Sequence, residues 1–221
     1  MARRTNASAA RRIPLSRDRV LQAAVALADE GGIKALSMRK LAQELGVEAM
    51  SLYNHVANKD DILDGIIDVV ASEIDLPPAG TDWKTALRQT AISAHEALLR
   101  HQWAADLWMS RGMSAPRYRY GDTLLRTLRE GGFSKELTYH AFHILESHVV
   151  GFTLHRQSFT FDSEKLDELA AQFLREFPAD EYPDLAEHIK QHTEPRYQRQ
   201  GTFSFGLELI LEGLERLRDS A

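Results

Sequence analysis

Apolar residues recur along most of this chain at three- and four-residue spacing, the period of an α-helix buried on one face. Val20, Ala24 and Leu27 follow a capping Ser16, and Gly31-Gly32 is expected to stop the helix they define. Ser37 caps a second helix carrying Met38, Leu41, Ala42 and Leu45, closed by Gly46. A short third segment over 48–55 follows almost at once. Asn58 caps a fourth helix, with Asp60 and Asp61 in its first turn and Ile62, Ile66 and Val69 on its core face. Pro77-Pro78 ends that helix and marks a domain boundary. Further helices are predicted at 82–100, 102–110, 116–130, 134–157, 163–177, 184–192 and 202–218. Period-two alternation is confined to Thr153–Phe161 and is not read as a strand. The chain is predicted to be all-α, with an arm over 1–14, a small head over 15–76 and a larger helical body over 77–221.

Charge changes this picture more than composition does. The 221 residues hold 27 Lys+Arg against 32 Asp+Glu, a net charge of −5 that is unevenly placed. Arg3, Arg4, Arg11, Arg12, Arg17 and Arg19 are accompanied only by Asp18 at the N-terminus, whereas the chain from Ile66 onward is net acidic. A basic head on an acidic body either meets a polyanion with the head alone or carries a solvated tail; charge by itself leaves both open. The absence of Cys removes disulfide frameworks, thiolate metal sites and cysteine nucleophiles, and fits a reducing cytoplasm. There is no apolar run of the ~18 residues that a membrane span needs and no apolar N-terminal stretch of a signal peptide. A cytoplasmic protein with no membrane partner is expected.

Leu45-Gly46-Val47 joins two short helices in the arrangement of a helix-turn-helix. Gly46 takes a turn conformation that a Cβ resists, and Val47 with Leu52 tucks the second helix against the first. Ala49, Leu52 and Val56 then face inward, leaving Met50, Ser51, Tyr53 and Asn54 to project outward. Such a face suits the major groove of DNA: Ser bonds base edges or phosphate, and Met touches a thymine methyl. Tyr53 and His55 can bond phosphate oxygens, with Lys59 beside the free N–H groups that open the next helix. A plain helical hairpin is the alternative; a basic arm able to reach an adjacent minor groove favours the DNA reader.

The run Leu36-Ser37-Met38-Arg39-Lys40-Leu41-Ala42-Gln43-Glu44-Leu45-Gly46-Val47, followed by Ser51-Leu52-Tyr53-Asn54-His55-Val56 and Asn58-Lys59, closely resembles the DNA-binding head of TetR family regulators. The tail from Phe205 to Glu215 resembles the last helix of that family's tetracycline-repressor subclass. The resemblance implies a homodimer whose two heads read a palindromic operator in double-stranded DNA, and a body that binds an effector and thereby releases the DNA. It places Ser37, Met38, Arg39, Met50, Ser51, Tyr53, His55 and Lys59 on the family's DNA-contact positions. Ala49 stands where the tetracycline repressors have a base-reading Gln, so their operator preference does not carry over.

In the body, the final helix carries Phe203, Leu207, Ile210, Leu211 and Leu214, with Gly206 and Gly213 as small notches near the stripe's edge. Such a helix suits close packing in its own core or against a twin. With the resemblance it is assigned, together with the helix at 134–157, to a dimer-forming four-helix bundle. That longer helix bears His140, His143, His148 and His155 within one ~140° face. The imidazoles raise a metal-binding or enzymatic alternative, but no partner carboxylate is identifiable and Glu146 points elsewhere. Histidines of a pocket or an interface are the simpler reading, and no metal or other cofactor is assigned. Trp103, Trp108, Met109 and Met113 cluster in and after one short helix, as core or as the wall of an adaptable apolar pocket.

The reading that results is a one-component transcriptional regulator, a repressor released by a small organic effector, with an activator using the same head as an alternative. No phosphate loop, HExxH or nucleophile motif points to an enzyme. The expected effector pocket comprises Trp103, Trp108, Met109, Met113, His140, His143 and Phe152. Alignment with the tetracycline repressors puts Trp108 and Ile74 where those proteins hold a drug–magnesium chelate with His. Neither side chain ligates a hard cation, so tetracycline–Mg²⁺ is not expected to be the inducer.

Overall fold

The computed structural model describes residues 14–158, 171–175, 177–191 and 201–220. Among these, helices and turns are the only regular structure. The chain divides into two compact parts between Val69 and Val70. No helix among the described residues is long and apolar enough to cross a membrane.

The first part begins with α1 (Arg17–Ala35), whose N-cap Ser16 accepts a bond from the Arg19 N–H. Gly32 breaks the helix as a kink rather than an end: at φ 69° it leaves the helical region, and one more turn follows to Ala35. α2 (Met38–Leu45) starts on Ser37, whose hydroxyl accepts from the Lys40 N–H at 3.3 Å. It stops at Gly46, which is left-handed at φ 65°, and the Val47 N–H bonds back to the Ala42 carbonyl at 3.0 Å. That pair of features is a Schellman-type cap, and it turns the chain directly into α3 (Ala49–Leu52). α3 is one turn long; residues 53–55, expected to continue it, form a turn. α4 (Lys59–Ser72) follows, its Asp61 N–H bonded to the Asn58 side chain at 2.9 Å. Its buried face is wider than the spacing predicts, taking in Leu63, Ile67 and Val70 beside Ile62 and Ile66. The helix ends before Pro77-Pro78 rather than at it. Val20, Leu41, Leu52, Ile62 and Ile66 are essentially sealed from solvent and form the core of this part.

The second part contains α5 (Trp83–Arg100), α6 (Ala104–Ser110), α7 (Ala115–Glu130), α8 (Lys135–Ser158), α9 (Pro183–Gln191) and α10 (Thr202–Asp219). α5 packs on α7, α8 and α10, and α8 packs on α6, α7 and α10. Leu87, Leu98, Leu128, Leu207 and Leu211 are its most deeply buried large side chains. Lys84 pairs with Glu215 at 2.6 Å, and Arg88 grips both oxygens of Glu208 at 2.5 and 2.7 Å, tying α5 to α10 along one edge. Residues 171–175 are helical and residue 177 lies in a bend; residues 163–170 and 176 of the helix expected at 163–177, like nearly all of the basic arm, lie outside the described residues.

Candidate DNA-reading head and effector body

Leu52 is sealed at 0 % exposure and Val56 at 2 %, and together they seat α3 against its own part of the chain. The opposite side is open: Met50 is 75 % exposed and Tyr53 47 %. Asn54, Lys59, Ser37 and Arg39 are exposed as well, while Met38, Ala49, Ser51 and His55 are half-buried. The turn after α3 is braced from behind. Arg17 makes a two-pronged ion pair with Asp61, at 2.7 and 2.9 Å, and also donates to the His55 carbonyl at 3.3 Å. Asp61 in turn accepts the Ala57 N–H at 2.8 Å. The bond from Arg17 holds the Asp61 carboxyl below its ordinary range and raises the guanidinium. Arg17, one of the basic residues clustered at the N-terminus, is therefore engaged in fixing the reading surface.

The body holds two polar constellations that helical spacing does not announce. In the first, Glu146 of α8 accepts the Tyr120 hydroxyl at 2.6 Å and the Trp108 indole N–H; burial raises its pKa. Arg117 stands 5.0 Å over the Trp108 ring and donates to the carbonyls of Trp108, Arg111 and Gly112, closing the C-terminal end of α6. In the second, His95 of α5 lies flat on Phe203 of α10, ring centres 3.9 Å apart, and edge-on to Phe152. Its Nδ1 is 2.8 Å from the Thr153 hydroxyl, whose own proton goes to the Val149 carbonyl at 2.6 Å. Nδ1 must then carry the ring proton, and the imidazole is the neutral Nδ1–H tautomer. Burial is the main reason its pKa is pushed down to about 4, with the charges of Arg156 and His148 adding to it. His148 lies over the same Phe203 ring and donates from Nε2 to the Phe203 carbonyl at 2.9 Å.

Two family descriptions match this architecture: "Bacterial regulatory proteins, tetR family" over residues 20–66 and "Tetracyclin repressor-like, C-terminal domain" over residues 76–218. The chain belongs to the TetR family. It is 34 % identical over 204 residues to the class D tetracycline repressor of Escherichia coli, covering 91 % of this chain and 89 % of that protein. It is 32 % identical over 215 residues to the transcriptional repressor DrrR1 of Streptomyces coeruleorubidus, covering 92 % and 78 %. Among solved structures, ActR of Streptomyces coelicolor in complex with actinorhodin matches with a TM-score of 0.75 at 30 % identity, over 93 % of this chain and 99 % of that one. This TetR-family chain is accordingly a helix-turn-helix DNA-binding repressor under the control of a small-molecule effector.

Several expected site residues stand elsewhere than the sequence placed them. Trp103 and Trp108 are buried, but Met109 is 70 % and Met113 53 % exposed, because α6 is short and only one side of it meets α8. His140 and His143 lie on the solvent side of α8, and Phe152 is half-buried in the His95 cluster. His155 is exposed while His148 turns inward to Phe203, so the four imidazoles do not converge. Among the described residues no three His, Asp or Glu side chains gather to hold a metal. Of the expected dimer residues, Phe203, Leu207, Leu211 and Leu214 are at most 5 % exposed and belong to the protomer's own core; Ile210 is half-buried. Gly206 serves that core too, since a Cβ there would stand 2.7 Å from His148. Phe205, Leu209 and Leu217 form α10's outward apolar side. A groove of ≈ 390 Å³ opens between residues 77–82, Trp83 and the second half of α7, away from every expected pocket residue. His95, Tyr120, Glu146 and Arg117 were not foreseen, although a polar residue in a buried stripe, as with Arg117 before Tyr120, Leu124 and Leu128, is a legible signal.

Proposed function

We propose that two copies of this repressor pair through the outward faces of α8 and α10, so that their α3 elements read inverted half-sites of a palindromic operator. An organic effector bound in the body then releases the DNA. The observation that carries the DNA-reading assignment is the exposed, braced surface of Met50, Tyr53 and Asn54 beside Lys59, with Ser51 half-buried among them and sealed Leu52 behind. Ser37, Met38, Arg39, Ala49 and His55 complete the groove and phosphate contacts. Pairing is supported by Tyr139 and Ile144 on α8 and Phe205 and Leu209 on α10, large apolar side chains left 47 to 65 % exposed on two helices that pack on each other. The protein acts in the cytoplasm, as a regulator rather than an enzyme, and needs no cofactor.

Selection of genome fragments by the purified protein, followed by footprinting, tests this reading. Two protected inverted half-sites about one to one and a half helical turns apart are expected. A single protected half-site, or none, would overturn it.

A further inference from the structure

We infer that the groove between residues 77–82 and α7 is a second ligand site, and that it takes an α-amino acid with an apolar side chain, bound as the zwitterion. None of the expected effector-pocket residues lines this groove, so the inference goes beyond the effector-controlled reading above.

The groove is a space with fixed walls. Its volume of ≈ 390 Å³ lies within the range of small-molecule sites. Half-buried Pro77 and Pro78 stiffen one wall. The turn that follows them is held by Thr81, whose hydroxyl and N–H both donate to the Pro78 carbonyl, at 2.8 and 3.3 Å. Trp83 and Ala86 make the floor and are 8 % and 2 % exposed. Trp83 is not free to swing in and fill the space. Phe133 meets it edge-on with ring centres 4.9 Å apart, and Arg218 stands 5.1 Å over the ring. Gly131 lies so close that a Cβ there would come within 2.8 Å of the Trp83 side chain.

The opposite wall is a polar face of α7, on which Thr123, Arg126, Thr127 and Glu130 recur at helical spacing. Arg126 and Glu130 are four residues apart, where opposite charges on a helix can pair. Arg126 instead reaches back to Asp122 at 3.6 Å and donates to the Thr123 hydroxyl at 3.3 Å. Asp122 lies N-terminal to it, the better orientation for such a pair. Glu130 is left with no ion-pair or hydrogen-bond partner among the described residues. Asp82 also lines the groove, and the Thr85 N–H at 3.0 Å holds its carboxyl below the ordinary range, so it is ionised. The groove thus offers two carboxylates and a guanidinium whose five N–H donors are not used up by Asp122 and Thr123. An ammonium gains from Glu130 and Asp82, a carboxylate gains from Arg126, and such charge-assisted bonds are the strong ones. A ligand of one sign leaves the other sign in the groove unanswered. The proline rings give an apolar side chain a surface to lie on.

The test uses the full-length protein without DNA, at low salt, and three probes that share one phenyl ring. L-Phenylalanine carries both charges, hydrocinnamate lacks the amine and phenethylamine lacks the carboxylate. Calorimetric titration of the wild type should show L-phenylalanine bound at least about tenfold more tightly than either of the others, the worth of one further ionic bond. Arg126→Gln should weaken L-phenylalanine about tenfold and leave phenethylamine unchanged. Glu130→Gln should weaken L-phenylalanine by a similar factor and leave hydrocinnamate unchanged. Both positions are exposed, so both variants are expected to fold, and matching circular dichroism checks it; if one fails that check, the other carries the test. No binding of L-phenylalanine at millimolar concentration, equal binding of the three probes, or full L-phenylalanine affinity in either folded variant would each overturn the proposal. The last result would mean that the amino acid binds elsewhere in the protein. Each of these failures leaves the effector-controlled reading standing, because operator release is measured on other residues.

Discussion

His95 stays neutral far below the usual histidine range because burial against Phe203 and Phe152 strips it of water, with the positive charges of Arg156 and His148 adding to the effect. Its pKa of about 4 makes a stability prediction. As pH falls below the unfolded value near 6.5, the unfolded chain takes up a proton that the folded one refuses, so stability declines down to about pH 4, by at most roughly 3 kcal/mol from this residue. Urea denaturation at pH 7.5, 6 and 5 should show that slope in the wild type and a shallower one in His95→Gln; identical slopes would remove the assignment. Lys59 is the exposed counterpart. It sits exposed at the start of α4, beside the turn after α3, where a positive side chain favours phosphate. Lys59→Ala is expected to weaken operator binding by a similar factor on any sequence and to lower the salt slope by about one unit. Mobility-shift titrations across a salt series would show whether both affinity and slope move.

At the scale of elements, α10 is apolar on two sides, and the two sides do different things. Phe203, Leu207, Leu211 and Leu214 face α5 and α8 of the same chain, while Phe205, Leu209 and Leu217 face out. Leu209→Glu is therefore expected to leave the fold and helical content intact and to produce monomers with weak operator affinity, measurable by sedimentation. Leu207→Glu places an unpaired charge at a site of 0 % exposure and should unfold the body, at a cost of several kcal/mol. Sedimentation showing a wild-type monomer at micromolar concentration would remove the dimer interpretation. Helical period explains what could and could not be read in advance. Caps at Ser16, Ser37 and Asn58 and the left-handed Gly46 act within four or five residues, and the structure has them where the sequence shows them. Which of two apolar stripes on α10 turns inward depends on α5 and α8, more than forty positions away in sequence, and spacing within one helix carries no such information. The same holds for Glu146 and Tyr120, which meet only because α7 and α8 pack together. Met50 and Tyr53 were legible because a one-turn helix with a single sealed residue, Leu52, leaves them nowhere else to point.

For the whole molecule, regulation requires the effector to favour the form that cannot hold DNA; tight binding alone shifts nothing. Trp108 and Ile74 are 4 % and 5 % exposed, apolar and packed, at the two positions where the resemblance puts magnesium-holding histidines in the tetracycline repressors. Tetracycline with Mg²⁺ is expected to leave the protein–operator complex intact in a titration. Micromolar release, undiminished by a change at Trp108, would contradict the reading of that pocket.

The brace behind α3 also bears on how short the chain can be made. Arg17 is the first residue of the first helix, yet through Asp61 it steadies the turn that carries Tyr53, Asn54 and His55. Trimming that stops before Ser16 takes away positive charge but leaves every member of the brace in place. Trimming that goes one helical turn further leaves each groove-facing side chain present and removes the anchor that holds them in register. An N-terminal boundary chosen by counting DNA-touching residues would thus fall on the wrong side of Arg17, and the shortened head would keep its sequence of contacts while losing its grip on their geometry.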